Sequence, residues 1–187
     1  MATYYLVRHG QTDWNKEHRL QGQKDIPMND EGIRQMKELG DKLAATGKKI
    51  DFIISSPLDR AKTGAQIIAA KIGYTKEIIF DAEFLERNFG MLEGTVWNPE
   101  LNLEDPQYRA ESVSDLCDRA KKALGNYTFA NDTNVMIVSH GAMLAAVKHA
   151  LSNGKIPYED RSVPIIQGNV LCCEKAFGQE PRFYNLF

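Results

Sequence analysis

The chain has 187 residues, 43% hydrophobic and 26% charged, the proportions of an ordinary globular protein long enough for one domain with a sizeable core. Lys and Arg number 23 against 25 Asp and Glu, a net charge of −2, which argues against nucleic-acid or anionic-membrane partners and makes any anion site a local one. No apolar run approaches the ~18 residues of a membrane span, no leader precedes the first strand, and three cysteines, an odd count, read as reduced thiols, so the expectation is a cytoplasmic protein.

Thr3 to Val7 is a β-branched and aromatic run with the composition of a buried strand, and it stops at Arg8, His9 and Gly10. Asn29 and Asp30 can cap the helix predicted by Ile33, Met36, Leu39 and Leu43, with Gly47 as its stop. A second strand run, Ile50 to Ile54, leads through Ser55 and Ser56 to Arg60. From Pro57, behind the two serines as caps, the stripe Ala61, Ala65, Ile68, Ile72 predicts a helix ending at Gly73. Glu77 to Phe80 is a weaker strand. Residues 90 to 111, with Gly90, Gly94, Pro99 and Pro106, predict an irregular insertion over the carboxyl edge of the sheet.

Ser112 and Asp115 make a capping-box-like start to a helix lined by Val113, Leu116, Cys117, Ala120 and Leu124 and closed by Gly125. Asn134 to Val138 is a third buried strand, ending at Ser139, His140 and Gly141. The segment after it is apolar nearly all round, a well-covered helix. Asn169 to Glu174 and Arg182 to Leu186, joined by residues 176–181, predict a closing hairpin. Strands alternating with helices imply an α/β fold, a three-layer α/β/α sandwich with a mostly parallel central sheet and one antiparallel edge strand. Nothing marks a boundary, so residues 1–187 are expected to form one domain. Cys172 and Cys173, adjacent on a strand, point to opposite faces and do not pair, and the apolar strand that carries them leaves room for a homodimer.

Three strands therefore each release a cationic or potentially cationic residue just past their ends. If they are parallel neighbours, Arg8, His9, Arg60 and His140 converge in the crevice where open α/β sheets bind ligands. Such a pocket suits an anion. Phosphoryl transfer needs positive charge, a nucleophile and an acid. Arg8, Arg60 and a protonated His140 can supply charge, and Asn15 and the Gly141 amide neutral donors. Neutral His9 can attack phosphorus and form a phosphohistidine. The acid is one of Glu83, Glu86 and Glu93, since a carboxyl group beside a phosphate dianion is pushed toward its protonated form. His18 and His149 read as structural, and the spacing of the four His and three Cys fits no common zinc pattern.

The run Leu6-Val7-Arg8-His9-Gly10-Gln11-Thr12-Asp13-Trp14-Asn15 resembles the signature of the histidine phosphatase superfamily, which includes the cofactor-dependent phosphoglycerate mutases. The similarity continues through Arg19 to Gln23, Ser55 to Ala61, Leu85 to Gly90 with Glu93-Gly94, and Val138 to Gly141, covering residues 4 to about 175 in order and spacing. The resemblance implies that His9 is the phosphorylated nucleophile, with Arg8, Arg60 and His140 completing the phosphate pocket. It implies that Glu86 protonates the leaving oxygen and later activates water, and that Thr12, Asn15, Gln21 and Gly22 contact phosphate or substrate. It also implies that no metal or organic cofactor is required.

Two departures stand out. Gly64 replaces the threonine common in Arg-Ala-x-x-Thr-Ala, with a small local effect expected. Mutases resemble Glu-Arg-His-Tyr-Gly where this chain has Glu86-Arg87-Asn88-Phe89-Gly90, so a substrate-holding hydroxyl is absent. Residues 91–111 carry Glu93, Glu100, Glu104 and Asp105 ahead of Glu111 but a single basic residue, Arg109. The reading is thus a phosphatase of small phosphomonoesters, with a phosphoglycerate mutase and a non-catalytic phospho-ligand binding module as alternatives. Specificity is expected in residues 16–25 and 87–111, where Arg87, Trp97 and Tyr108 can shape the mouth.

Overall fold

A computed structural model describes residues 2–174 and 179–187. Six strands form one sheet: β1 (Thr3–Arg8), β2 (Phe52–Ser55), β3 (Ile79–Phe80), β4 (Asn134–Ser139), β5 (Val170–Glu174) and β6 (Arg182–Asn185), in the spatial order β3-β2-β4-β1-β5-β6. The first four are mutually parallel and β5 is antiparallel to both β1 and β6. The helices are α1 (Asp13–Lys16), α2 (Asp30–Ala45), α3 (Asp59–Lys71), α4 (Val113–Gly125) and α5 (Gly141–Leu151). Among the described residues no helix is long and apolar enough to cross a membrane.

The alternation of strand side chains divides the core into two layers. Tyr5, Val7, Ile53, Met136, Val138 and Cys172 face α2 and α3. Leu6, Ile54, Val135, Ile137, Leu171 and Cys173 face α4 and α5. This is the expected three-layer sandwich, and the two neighbouring cysteines lie in opposite layers and form no disulfide. Helix α5 is apolar on most of its circumference because it is covered almost completely, Met143 to Lys148 being buried or nearly so.

Several local expectations are corrected. Helix α3 starts at Asp59 rather than Pro57, and its N-cap position, Leu58, makes no side-chain cap bond. The predicted cap, Ser56, is drawn inward by His140. The weak strand 77–80 shrinks to two residues, and 182–186 to four. Gly125 lies inside the last turn of α4, with Asn126 as the C-cap, whereas Gly47 and Gly73 take the left-handed conformation (φ 64° and 65°) expected after a helix. The predicted hairpin pairing of β5 with β6 is present, although residues 175–178 of its connection lie outside the described residues. Helix α1 was not foreseen. It is one turn held by a reciprocal capping box, Asn15 N–H donating to Thr12 Oγ1 and Thr12 N–H to Asn15 Oδ1, both at 3.1 Å. The insertion is irregular as expected, with short 3-10 turns at Gly90–Leu92 and Pro106–Tyr108.

Candidate active site

Strands β2, β4 and β1 lie side by side, so their carboxyl ends open on one crevice. The β1–β4 register pairs Arg8 with Ser139, and His9 N–H extends the ladder to the Ser139 carbonyl at 3.0 Å. His9 and His140 thus leave the sheet at matched positions, and their rings meet edge to face at 5.2 Å. Gly10 is needed here for space: a Cβ would stand 2.3 Å from the carbonyl oxygen of Gly32, at the start of α2.

His9 is buried, and its Nδ1 lies 2.7 Å from the Gly10 carbonyl oxygen. A carbonyl only accepts, so Nδ1 carries the hydrogen and Nε2 keeps its lone pair. Burial, then Arg60, then Arg8 push the pKa of this imidazole well below 6.5 against the smaller opposing effect of the Gly10 bond. The ring is a neutral base at neutral pH. His140 lies behind it, fully buried, with Nε2 2.8 Å from Ser56 Oγ and Nδ1 without a partner among the described residues. Burial, Arg60, His9, Arg8 and Arg119 also push its pKa well down. Burial and the two guanidinium groups thus favour a neutral His140, where the sequence leads one to expect a protonated one.

Arg60 is fully buried from the first turn of α3, and its two terminal nitrogens donate to the carbonyls of Lys24 and Gly22, both at 2.7 Å. Its Nε, like that of Arg8, is buried without a hydrogen-bond partner among the described residues. Gly22 supplies its carbonyl from a left-handed turn (φ 53°), with Glu93 Oε1 2.0 Å from where a Cβ would be. That Glu93 oxygen accepts from Gln23 N–H and Phe89 N–H, which ties the 19–24 loop to the 86–94 loop.

A cleft of about 180 Å³ is lined by Arg8, His9, Asn15, Gln21, Gly22 and Arg60 together with Glu86, Gly141 and Ala142, Gly141 lying against the Arg8 guanidinium. Asn15 Oδ1 takes hydrogen bonds from Thr12 and from Gln167 Nε2, so its amide nitrogen is the group left for a ligand. Gln21 is buried and its Oε1 lacks a partner among the described residues. Thr12, expected as a ligand contact, is not in the cleft lining; its hydroxyl is consumed by the α1 cap. Of the three candidate acids, Glu86 lines the cleft. Glu83 points away to Lys122 at 2.6 Å, and Glu93 is spent on loop amides. Glu86 accepts from the N–H groups of Arg87 (2.9 Å), Met143 (3.0 Å) and Ala142 (3.3 Å), so the amino end of α5 holds the carboxylate in place.

Residues not singled out from sequence complete the frame. Gln167 reaches the His9 carbonyl at 3.2 Å across 158 positions of chain. Arg119 donates to the carbonyls of Glu83, Leu85 and Glu86 while pairing with Glu111 at 2.8 Å, and so anchors the segment that carries Glu86. Arg19, Leu20 and Phe89 form the outer wall, Arg19 being paired with Glu17. Arg87 is turned away from the mouth, donating to the Glu111 and Leu103 carbonyls and pairing with Glu104. Trp97 remains half exposed on the insertion. Gly64 lies in a tight seam: a Cβ would come within 3.3 Å of Met36 Sδ, so α2 and α3 approach where the threonine is missing. Among the described residues no group of His, Cys, Asp and Glu is arranged to hold a metal ion.

Comparison with known proteins accords with this geometry. The chain is 35% identical over 162 residues to probable phosphoglycerate mutase GpmB of Salmonella newport, covering 79% of this chain and 73% of that protein. It is 32% identical over 161 residues to phosphoglycerate mutase-like protein 4 of Arabidopsis thaliana, covering 78% and 69%. Among solved structures, YhfR of Bacillus stearothermophilus superposes with a TM-score of 0.80 at 27% identity, covering 98% of this chain and 95% of that one. A phosphoserine phosphatase mutant of Entamoeba histolytica, in complex with phosphoserine, shares the fold with a TM-score of 0.77 at 23% identity, covering 98% and 95%. The profile of the histidine phosphatase superfamily, branch 1, matches residues 4–170, the span that holds every wall of the cleft, and the chain belongs to that superfamily.

Proposed function

We propose that this protein is a phosphomonoesterase for small phosphorylated metabolites, working through a phosphohistidine at His9. The observation that carries the reading is the pairing of His9 Nδ1 with the Gly10 carbonyl, which leaves Nε2 of a neutral ring as the nucleophilic nitrogen in the cleft that Arg8 and Arg60 also line. Arg8, Arg60, Asn15 and the Gly141 amide hold the three non-bridging oxygens. His9 Nε2 donates its electron pair to phosphorus, the P–O bond to the alcohol breaks, and the leaving oxygen takes a proton from Glu86. Phosphate bound between Arg8 and Arg60 favours uptake of a solvent proton by His140, which is returned to solvent when inorganic phosphate leaves. In the second step Glu86 takes a proton from water, whose oxygen attacks phosphorus and releases His9 as the neutral base. Glu86 enters the first step as the carboxylic acid and is restored as one, and His9 ends as the neutral base.

The test is hydrolysis of p-nitrophenyl phosphate with EDTA present, by the wild type and by His9→Ala. Metal-independent release of nitrophenol that the variant lowers by roughly 10⁴ or more supports the reading. Wild-type-like turnover by the variant rules it out. The names of the sequence relatives favour a mutase instead, whereas Phe89 in the cleft and the acidic insertion disfavour it. Conversion of 3-phosphoglycerate that depends on a bisphosphoglycerate primer decides for the mutase.

A further inference from the structure

A second cavity, of about 280 Å³, opens beside the phosphate cleft and shares Arg8, Gly141 and Ala142 with it. Its floor is α5, through Ala142 and Ala145, and its outer wall is the segment 158–165, which contributes Val163, Pro164 and Ile165. Its volume is close to the lower bound for small-molecule sites. The charged lining is Arg8, Lys148 and Arg161 against a single carboxylate, Asp160. Lys148 and Asp160 cancel each other: the buried ammonium pairs with Asp160 Oδ2 at 2.9 Å and also donates to the carbonyls of Asp160 and Val163. Arg161 has no carboxylate partner among the described residues. It donates through one terminal nitrogen to the carbonyls of Tyr158 and Asp160 and leaves the rest of its fork free. Arg8 lines both spaces, and its buried Nε has no hydrogen-bond partner among the described residues.

We propose that this cavity receives the alcohol portion of the substrate and selects leaving groups that carry a second negative charge, with Arg161 as the specificity-determining residue. The proposal rests on the phosphatase reading above. An ester seated in the phosphate cleft has its leaving oxygen beside Glu86, whose carboxylate bonds to the Ala142 and Met143 amides at the head of α5. From that point the shared wall of Gly141 and Ala142 leads into the cavity. The apolar walls take the carbon skeleton and the guanidinium of Arg161 meets the remote anion. Residues 91–111, none of which lines the phosphate cleft, would offer a distant anion Glu93, Glu100, Glu104 and Asp105 against Arg109 alone. Charge therefore points the substrate toward 158–165, a segment outside the loops in which specificity was expected.

The experiment compares kcat/KM for paired esters that differ in the second charge: 3-phosphoglycerate with glycerol 3-phosphate, and fructose 1,6-bisphosphate with fructose 6-phosphate. The wild type and the series Arg161→Lys, Arg161→Met and Arg161→Glu are measured on each. Arg161 is exposed, so the series is expected to keep the fold, with thermal melting of each variant as the check. The wild-type preference for the charged member of a pair should fall about tenfold in Arg161→Met, mostly through KM, reverse in Arg161→Glu, and be partly kept in Arg161→Lys. The pair that responds distinguishes a carboxylate from a second phosphate. Turnover with a ratio indifferent to the series, or no wild-type preference for either charged ester, removes the subsite and leaves the phosphatase reading standing. No turnover of any ester, p-nitrophenyl phosphate included, removes that reading and the subsite with it.

Discussion

Lowering the pH should destabilise this protein through two particular side chains. His9 and His140 are held neutral by burial and by the neighbouring arginines, so each binds its proton more weakly when folded than in the unfolded chain, where the pKa is near 6.5. The unfolded state then carries more protons than the folded state as pH falls through 6.5, and stability must fall with it. Each histidine then withdraws on the order of 1 kcal/mol of stability between pH 7.5 and 5.5, and the two together a few kcal/mol. That is a large share of the 5–15 kcal/mol typical of a domain. Urea unfolding at pH 7.5, 6.5 and 5.5 measures it, with the double variant His9→Asn, His140→Asn as the reference for every other titrating group. Inorganic phosphate should recover much of the loss, because an anion between Arg8 and Arg60 offsets the charge that disfavours imidazolium. Parallel loss of stability in the wild type and the double variant would refute the reasoning.

Glu86→Gln should slow alkyl phosphates by about 10²–10⁴ while costing p-nitrophenyl phosphate much less, since nitrophenolate leaves without a proton; equal losses on both would remove Glu86 from the acid role. Gly22→Ala puts a Cβ at a positive φ and against the Glu93 carboxylate, so a loss of about 1–3 kcal/mol is expected, together with a raised KM from the displaced Arg60 anchor. An unchanged melting temperature and KM would contradict it. Arg119→Met leaves three carbonyls without their donor and Glu111 without its cation, which should cost about 3 kcal/mol. In the same variant the alkyl-to-aryl phosphate rate ratio should fall, because the Glu86 segment loosens; a ratio that holds steady while stability falls would make Arg119 purely structural.

The sequence exposes the part of this architecture that depends on local pattern. The three strands that end at Arg8, before Arg60 and at Ser139 are visible as apolar runs, and their shared crevice follows from parallel pairing. Side-chain pairing across the chain is not visible in that way. Ser56 looks like a helix cap until His140, 84 positions later, takes its hydroxyl. Thr12 stands among residues expected to contact phosphate, yet its hydroxyl closes a single helical turn. Glu83, Glu86 and Glu93 are indistinguishable by spacing. Lys122, the head of α5 and the Gln23 and Phe89 amides sort them, and each lies in another part of the chain. The state of His140 likewise follows from how many cations surround it, which no local pattern encodes.

The ladder between β1 and β4 gives the pair of imidazoles a digital rather than an adjustable placement. Because Arg8 stands opposite Ser139, the two rings lie one step beyond a shared row of the sheet. Sliding either strand by a single residue moves its histidine by about 3.3 Å and turns alternate side chains to the other face. Core packing forbids that slip, since Val7 and Val138 would exchange layers with Leu6 and Ile137. One residue inserted within either strand should therefore cost the molecule its chemistry and its core together, whereas insertions in the 91–111 loop leave the spacing of the rings untouched. Evolution of new substrates on this scaffold is thus confined to the loops, because the distance between the two rings is counted in whole residues.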